Sequence, residues 1–281
     1  MPPGFATPLE PGRLYIVSTP IGNLGDITVR AIETLKRVAA ILAEDTRHSR
    51  QLLARYDIAT PLIAYHEHNE ARATPGIIAR LRDGESLALI TDAGTPLLSD
   101  PGARLVRAAI DAGVLVSPLP GASALLAALV ASGIDSERFT FFGFLPRKGK
   151  DRAEALAAIV ALEHAAVLYE APQRLGDTLR DLAARGAGGR EAVVAREMTK
   201  QFEEFRRGTV DALAEYYEGS APRGEVVIVL AGGAATVVDE QALREHVERL
   251  RVTGASTRDI VRLLVEEHHA PRNVAYRIAH E

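Results

Sequence analysis

The segment LALITDAGTPLLSDPG, residues 87–102, combines the residue types expected of a loop that binds a small molecule. Its first four residues are apolar and predict a buried strand. Ser99-Asp100-Pro101 is typical of a helix start, with a capping oxygen followed by proline. Ligands of open α/β sheets bind beyond the carboxyl ends of the strands. We therefore expect a small molecule against residues 92–99, held largely by backbone groups; an ordinary connection is the alternative.

Ionisable residues also follow other predicted strands. The segment EDTRHSR, residues 44–50, comes directly after a strand at 39–43. Asp45 or Thr46 would cap the next helix, which leaves Glu44 and Arg47 unexplained. Glu170 and Glu197 each end a further strand. We expect these strand ends to converge on one cleft: Glu44, Asp45, Asp92, Glu170 and Glu197.

The segment HEHNE, residues 66–70, follows a strand at 61–65 and resembles a metal site at first sight. A His-x-His spacing suits alternate positions of an extended segment, but zinc needs further ligands and no partner is evident. Polar residues at the rim of the cleft are the preferred interpretation, and no metal is predicted.

The segment PRKGKDR, residues 146–152, carries four basic residues within six positions. Such a patch binds phosphates or forms a solvated loop, and the sequence leaves both interpretations open. The whole chain has a net charge of −4, so contact with nucleic acid would depend on local basic patches of this kind.

The elements that must position these residues alternate between strands and helices, with a break near Ile134. This order predicts two α/β domains facing one another, at 1–133 and 134–232, followed by a linker and helical extension at 233–281. The apolar run at 224–230 predicts a central strand, and 202–207 an edge strand. Helices at 257–267 and 272–280 suggest either a helix-turn-helix that contacts nucleic acid or a packing appendage.

Composition excludes several classes of protein. The 281 residues include no cysteine, so disulfides and thiolate chemistry are absent, which fits a cytosolic protein. No apolar run is long enough to span a bilayer, and the first residues do not resemble a signal peptide. The loop at 20–26 matches neither a dinucleotide fingerprint nor a Walker motif.

Nine segments in order resemble the tetrapyrrole-methylase superfamily, and within it the branch that methylates the 2′-oxygen of a cytidine ribose in small-subunit ribosomal RNA. They are STPIGNLGDIT (18–28), AEDTR (43–47), YHEHNE (65–70), ITDAGTPLLSDPG (90–102), PLPGASAL (118–125), FFGFLPRKGK (141–150), LYEAPQR (168–174), AREMTKQFEEFRRGT (195–209) and GEVVIVLAG (224–232).

The resemblance implies two α/β domains with S-adenosylmethionine in the cleft between them, and a homodimer. It implies that the acceptor is 16S ribosomal RNA within the small subunit. Carried over by motif, the residues that contact the cofactor are Pro20, Asp92, Ala93, Gly94, Leu97, Ser99, Ser123, Ala124, Tyr169 and Glu225. The family's usual Gly-Asp-Pro loop is here Gly94-Thr95-Pro96.

The implied reaction is in-line attack of a ribose oxygen on the sulfonium methyl group, with much of the rate coming from alignment. A hydroxyl is a poor nucleophile, so a base or a charged group helps. The candidates are Glu170, Glu44 and Lys200, of which Lys200 and Glu170 are preferred. A lysine must lose its proton to act as a base, which burial beside Arg196 or Arg174 would assist. A structural ion pair between Glu170 and Arg174 is the alternative.

Basic residues would hold the RNA through its phosphates without reading bases. Those that the resemblance suggests are Arg47, Arg147, Lys148, Lys150 and Arg174. Two other functions stay open: methylation of a small tetrapyrrole-like or protein acceptor, and RNA binding without catalysis. The basic loop argues against a tetrapyrrole, whose carboxylates would need a wide basic cavity.

Overall fold

The computed structural model describes residues 10–219, 222–233, 240–252, 254–266 and 272–281. The chain divides into two compact units, Met1–Gly232 and Gly233–Glu281. None of the helices that are described is both long and apolar enough to cross a membrane.

Unit 1 begins with a five-stranded parallel sheet whose strand order is β3-β2-β4-β1-β5. Its strands are β1 (Arg13–Val17), β2 (Ala40–Ala43), β3 (Leu62–Ala64), β4 (Leu87–Ile90) and β5 (Leu115–Leu119). The helices of this half are α1 (Val29–Arg37), α2 (Thr46–Arg55), α3 (Glu70–Arg82), α4 (Ala103–Asp111) and α5 (Ala124–Ser132). All four residues of β2 and of β4 are buried, because helices cover both faces of the sheet. Parallel pairing brings the carboxyl ends of all five strands to one edge.

The second sheet of unit 1 is mixed, with strand order β6-β7-β10-β8-β9. Its strands are β6 (Phe139–Phe144), β7 (Ala165–Glu170), β8 (Glu191–Arg196), β9 (Glu204–Thr209) and β10 (Val226–Leu230). The helices are α6 (Lys150–Val160), α7 (Leu175–Leu182) and α8 (Val210–Tyr216), with a π-helical segment, Ala183–Ala187, after α7. Only β6 and β7 pair in parallel. The strand predicted at 224–230 is central and spans 226–230, and the edge strand predicted at 202–207 lies at the edge and spans 204–209.

Helix α5 joins the two sheets. Its residues Leu125, Ala128 and Leu129 belong to one apolar cluster with Val227 and Val229 of β10. The alternate residues of β10 face the opposite way, into the core formed with α6, α7 and α8. Side chains of a strand alternate between its faces, so β10 is apolar throughout because both faces are covered. The small side chains of α5 therefore serve sheet packing.

Unit 2 contains α9 (Glu240–Val252), α10 (Thr257–Glu266) and α11 (Arg272–His280). These helices share an apolar core that includes Leu243, Val247, Ile260, Leu264 and Ile278. Periodicity had predicted helices at nearly the same positions as α10 and α11.

The predicted α/β class with two sheets and a helical extension is confirmed. We propose a domain boundary at 133/134, because every strand of the first sheet precedes it and every strand of the second follows it. The predicted helix start at Ser99-Asp100-Pro101 is wrong. Helix α4 begins at Ala103 after Gly102, whose φ of 127° and absent side chain leave the helix without a side-chain cap. Ser99 and Asp100 therefore belong to the loop before α4 and not to the helix.

Candidate active site

A cavity of about 480 Å³ lies between the carboxyl-end loops of the first sheet and the second sheet. Its walls come from the loops after β1, β2 and β4, the start of α5, and the ends of β6, β7 and β10. The residues that line it include Glu44, Asp92, Ala93, Gly94, Thr95, Ser99, Asp100, Ser123, Ala124, Phe144, Tyr169, Glu170 and Glu225. This volume is typical of a cavity that holds a small molecule or cofactor.

The loop after β4 is fixed by hydrogen bonds to the rest of the first sheet. Gly94 and Thr19 exchange both backbone hydrogen bonds, at 2.8 and 3.0 Å. The hydroxyl of Thr95 donates to the carbonyl oxygen of Ala122 at 3.1 Å. Leu97 and Ser99 adopt left-handed backbone, with φ of 76° and 71°. The loop is therefore preorganised, but the backbone of Gly94 bonds Thr19, so less of it is free for a ligand than the sequence suggested.

The cavity is acidic. Glu44, Asp92, Asp100 and Glu225 line it, and its described lining includes no lysine or arginine. Burial, followed by nearby Glu44 and Asp92, raises the pKa of Asp100 to about 6, although a hydrogen bond from Thr91 opposes this. Burial also raises the pKa of Glu44. Such a cavity favours a ligand with positive charge, because a cation relieves the repulsion between these carboxylates.

Two aromatic rings form the apolar part of the wall. Phe144 and Tyr169 meet edge to face with their centroids 5.6 Å apart. The hydroxyl oxygen of Tyr169 accepts a hydrogen bond from the backbone N–H of Leu125 at 3.2 Å, which fixes the ring against the start of α5. The cavity thus offers flat apolar surface on one side and carboxylates on the other.

Glu170 is held on every side. One carboxylate oxygen accepts from the guanidinium of Arg174 at 2.5 Å and from the N–H of Ala171 at 2.8 Å. The other accepts from the hydroxyl of Thr178 at 2.6 Å. The side chain of Glu170 is fully buried. This geometry supports the structural ion pair that the sequence left open as an alternative to catalysis.

Lys200 lies in an adjoining cavity of about 490 Å³, which Pro20, Asp92 and Glu225 also line. Its ammonium group donates to Glu197 at 2.9 Å and to Glu225 at 3.3 Å. Partial burial acts to lower the pKa of Lys200, but these two carboxylates outweigh it and the pKa is raised. The expectation that a neighbouring arginine would help Lys200 to lose its proton is therefore wrong. Lys200 is arranged as a cation.

Eight of the ten residues suggested for the cofactor line the main cavity: Asp92, Ala93, Gly94, Ser99, Ser123, Ala124, Tyr169 and Glu225. Pro20 lines the adjoining cavity. Leu97 lines neither and instead packs against the core that includes Leu89 and Leu105. Among the carboxylates expected to converge, Glu44, Asp92 and Glu170 do so. Asp45 caps α2 through the N–H of Arg47, and Glu197 lies outside the main cavity.

The residues suggested for RNA differ in their exposure and in their partners. Arg47 has an 86% exposed side chain and pairs with Asp45 at 3.1 Å. Arg147, Lys148 and Lys150 are exposed, and Lys150 lies 3.4 Å from Glu154. The guanidinium of Arg174 pairs with the carboxylate of Glu170 and donates a hydrogen bond to the carbonyl oxygen of Leu145 at 3.0 Å. Arg174 therefore supports the cavity wall rather than presenting a free cation.

Within the described ranges, no three or more His, Asp or Glu side chains are grouped so that they could hold a metal ion. His66 and His68 lie edge to face at 5.9 Å, and His68 is 3.3 Å from Glu67.

Sequence reasoning missed Asp100 and Phe144 as parts of the cavity. Asp100 had been assigned to a helix start because proline follows it. The one sequence feature that could have indicated this role is its position, since Asp100 directly follows the loop predicted to bind a ligand. Phe144 had been assigned to a strand, and no spacing rule distinguishes it from a core aromatic.

Comparison with known proteins places these observations in context. Residues 13–214 match the sequence profile of the family described as Tetrapyrrole (Corrin/Porphyrin) Methylases. Ribosomal RNA small subunit methyltransferase I of Synechocystis is 45% identical, with 96% of this chain and 98% of that protein covered. The proteins of the same name from Mesorhizobium japonicum and Bacillus subtilis are 51% identical over 84% of this chain and 80% of theirs, and 43% identical over 96% and 94%.

Solved structures share the fold at lower identity. Uroporphyrin-III C-methyl transferase from Thermus thermophilus, complexed with S-adenosylhomocysteine, superposes with a TM-score of 0.57 at 18% identity, covering 78% of this chain and 97% of that one. A conserved hypothetical protein from Aeropyrum pernix gives a TM-score of 0.64 at 17% identity, covering 83% and 88%.

Proposed function

Because this chain belongs to the tetrapyrrole methylase family, we propose that it transfers the methyl group of S-adenosylmethionine to ribosomal RNA of the small subunit. The observation that carries this proposal is the near-full-length similarity to methyltransferases named for that RNA, at 40% to 51% identity. The finer assignment, to the 2′-oxygen of a cytidine ribose, rests on the nine segments that resemble that branch of the family.

The main cavity suits S-adenosylmethionine. When bound, this cofactor supplies a methyl group activated by a positively charged sulfur, and it carries one net positive charge. The cavity offers carboxylates for that charge and the rings of Phe144 and Tyr169 for an aromatic base. The start of α5 offers a carboxylate the positive end of the helix dipole, although the N–H groups of Leu125 and Leu126 already donate to Tyr169 and Ser123.

We assign cofactor contacts to the suggested residues that line this cavity: Asp92, Ala93, Gly94, Ser99, Ser123, Ala124, Tyr169 and Glu225. Asp100 and Glu44 join them as carboxylates that favour a cation. Pro20 lies at the junction with the adjoining cavity. Leu97 acts indirectly, since its left-handed backbone shapes the loop.

The adjoining cavity is the proposed place of the acceptor ribose. Lys200 lies there beside Glu225, a residue shared by the linings of both cavities. As a cation, Lys200 would stabilise the alkoxide that forms when the ribose hydroxyl passes its proton to solvent. That oxygen then takes the methyl group as the bond from the methyl carbon to sulfur breaks. Glu170 is assigned to support the wall, because its carboxylate is fully occupied by Arg174, Thr178 and Ala171.

The exposed cations Arg47, Arg147, Lys148 and Lys150 are assigned to RNA phosphates. Their long, solvated side chains suit contacts that position a strand without reading its sequence. Arg152 belongs to a different class, because it pairs with Asp181 at 2.8 Å and bonds Thr178 at 3.0 Å.

A test of these phosphate contacts replaces Arg147, Lys148 and Lys150 by glutamine. We expect KM for small ribosomal subunits to rise and its salt dependence to become shallower, with S-adenosylmethionine affinity unchanged. The matched control replaces Arg72 and Arg82, exposed on α3 away from both cavities. Equal effects of the two variants would argue against the assignment.

The function is tested by methyl transfer from radiolabelled S-adenosylmethionine to small ribosomal subunits that lack the modification. The product is mapped by resistance of the RNA to alkaline cleavage, since a 2′-O-methyl group blocks that cleavage. One protected cytidine linkage is the expected result. No incorporation, with cofactor binding intact, would favour a small-molecule or protein acceptor. No cofactor binding would favour an RNA-binding protein without catalysis.

A homodimer is part of the proposal. Helix α5 exposes Leu126 and Val130, one turn apart, with 50% and 77% of each residue accessible. Such an apolar pair fits a contact with a second copy. Sedimentation of the wild type and of a Leu126→Glu/Val130→Glu variant tests the proposed homodimer. A monomeric wild type would contradict it. Action on ribosomal RNA would place the protein in the cytoplasm.

A further inference from the structure

A second concave site lies at the β9 edge of the second sheet, outside both cavities described above. It has a volume of about 590 Å³. We call it the aromatic pocket and define it by Arg196, Phe202, Glu204, Tyr216, Tyr217 and Arg223. Phe202 is 66% exposed and Tyr216 is 55% exposed. Three aromatic residues at one surface depression, two of them largely accessible, are unusual in a chain that has only 5% aromatic residues.

The charged groups of the aromatic pocket are held in place by one another. The guanidinium of Arg196 lies 2.5 Å from the carboxylate of Glu204. The same carboxylate accepts from Arg206, whose guanidinium stacks 3.7 Å from the centre of the Tyr216 ring. These contacts fix the orientation of Tyr216 before any ligand arrives, so less conformational freedom is lost on binding.

The charges also indicate what kind of ligand fits. Arg196 and Arg223 are balanced by Glu197 and Glu204, so the lining is close to neutral. A bare phosphate would meet two carboxylates. A nucleobase is neutral and planar, it stacks on aromatic rings, and its edge carries both donors and acceptors.

One polar atom in the pocket has no partner. Tyr217 is only 6% exposed, and its hydroxyl makes no hydrogen bond to any residue that the structure describes. A buried hydroxyl without a partner is costly, and a ligand with a polar edge would satisfy it.

The aromatic pocket is separated from the proposed catalytic centre by a single layer of residues. Glu197 lines the aromatic pocket, and its carboxylate accepts from Lys200 in the adjoining cavity. Gly224 lines the main cavity, and a Cβ at that position would overlap the carboxylate of Glu197. This proximity is the ground for placing neighbouring nucleotides of one RNA strand at the two sites.

We propose that the aromatic pocket binds a nucleobase of the substrate RNA that flanks the methylated nucleotide, by stacking on Phe202 and Tyr216. This inference rests on the proposed function for the identity of the RNA. Holding a flanking base would keep the strand open while the target ribose enters the catalytic centre.

The test compares Phe202→Ala with Phe202→Trp and with Phe139→Ala. Phe139 is a matched control, because it is a partly exposed phenylalanine on β6, at the opposite edge of the same sheet. Affinity for a fluorescein-labelled single-stranded oligoribonucleotide is measured by anisotropy, which does not depend on methyl transfer. We expect binding roughly tenfold weaker in Phe202→Ala and retained in Phe202→Trp and Phe139→Ala.

A second measurement follows methyl transfer to small ribosomal subunits. We expect Phe202→Ala to raise KM for the subunits, with kcat and the Kd of S-adenosylmethionine unchanged. Unchanged oligonucleotide affinity in Phe202→Ala, or no binding by the wild type, would overturn the inference. So would a loss of dimer in Phe202→Ala without loss of RNA affinity, since a second copy would then cover the pocket. Weaker RNA binding in Phe202→Ala, together with no methylation of small subunits by the wild type, would support the pocket and overturn the proposed substrate.

Discussion

The side chain of Ser99 lies directly against the backbone of Gly143, so the loop after β4 contacts the edge strand β6 of the other sheet. A Cβ built on Gly143 would stand 2.7 Å from the hydroxyl oxygen of Ser99. The pairing of β6 with β7 shifts register between Phe141 and Gly143, which marks a bulge. Since Ser99 also lines the main cavity, this contact sets the distance between two of its walls.

Replacing Gly143 by alanine should therefore damage cofactor binding. The new methyl group would press on Ser99, and the φ of 60° at Gly143 adds backbone strain. Gly113→Ala is the matched control, because Gly113 has a φ of 73° but open space at its Cβ position. We expect both variants to lose about 1 kcal/mol of stability from strain, but only Gly143→Ala to weaken S-adenosylmethionine binding by calorimetry. Equal affinities would show that the bulge does not set the cavity.

Asp100→Asn should weaken cofactor binding and should stabilise the ligand-free protein. The pKa of Asp100 is raised to about 6 by burial, so ionisation costs the folded state stability above that pH. The ligand-free variant should melt at a higher temperature near neutral pH, a gain that disappears as pH falls through 6 towards the ordinary pKa of aspartate.

Ionisation of Asp100 has the opposite effect on cofactor binding, which it favours. The carboxylate must be ionised to attract a cation, so wild-type affinity should fall as pH drops below about 6. We expect affinity in Asp100→Asn to be roughly tenfold weaker near neutral pH and to depend less on pH. If Asp100→Asn binds the cofactor as tightly as the wild type, Asp100 does not contribute to cofactor binding.

Glu170→Gln separates a structural role from a catalytic one. The fully buried carboxylate of Glu170 holds the guanidinium of Arg174 at 2.5 Å, and breaking such a pair costs about 3 kcal/mol. We expect a large loss in thermal stability, whereas Glu154→Gln, at an exposed pair with Lys150, should change stability by about 0.5 kcal/mol or less. A Glu170→Gln protein of normal stability that has lost kcat would instead make Glu170 catalytic.

Lys200→Met should lower kcat, and Lys200→Arg should restore part of it. Because the pKa of Lys200 is raised by the balance of its surroundings, its ammonium stays charged throughout the neutral range. Loss of a positioned charge at a developing oxyanion costs roughly a hundredfold in rate. Binding of S-adenosylmethionine serves as the control and should change little. A rise of kcat with pH that disappears in Lys200→Met would show instead that Lys200 acts as a base.

Local sequence patterns determined much of the fold. The apolar runs at 87–90 and 226–230 predicted buried strands because both faces of each strand are covered by other elements. Cap residues located some helix starts, as with Asp45 before α2, but not the start of α4. These features depend on neighbours in sequence, so no knowledge of the fold was needed to find them. The loop predicted to bind a ligand was found in the same way, and it lines the main cavity.

The tertiary structure decided which charged residues line the two cavities and which are held in buried ion pairs. Glu170 and Lys200 both lie at or just beyond a strand end, and the sequence made both of them catalytic candidates. In the structure Glu170 is buried against Arg174, while Lys200 lies between two carboxylates. Asp100 lines the cavity on a loop whose Ser99 lies against Gly143 of the other sheet. The sequence specifies the type of each group. Its pKa and partners depend on residues far apart in the chain, which only folding brings together.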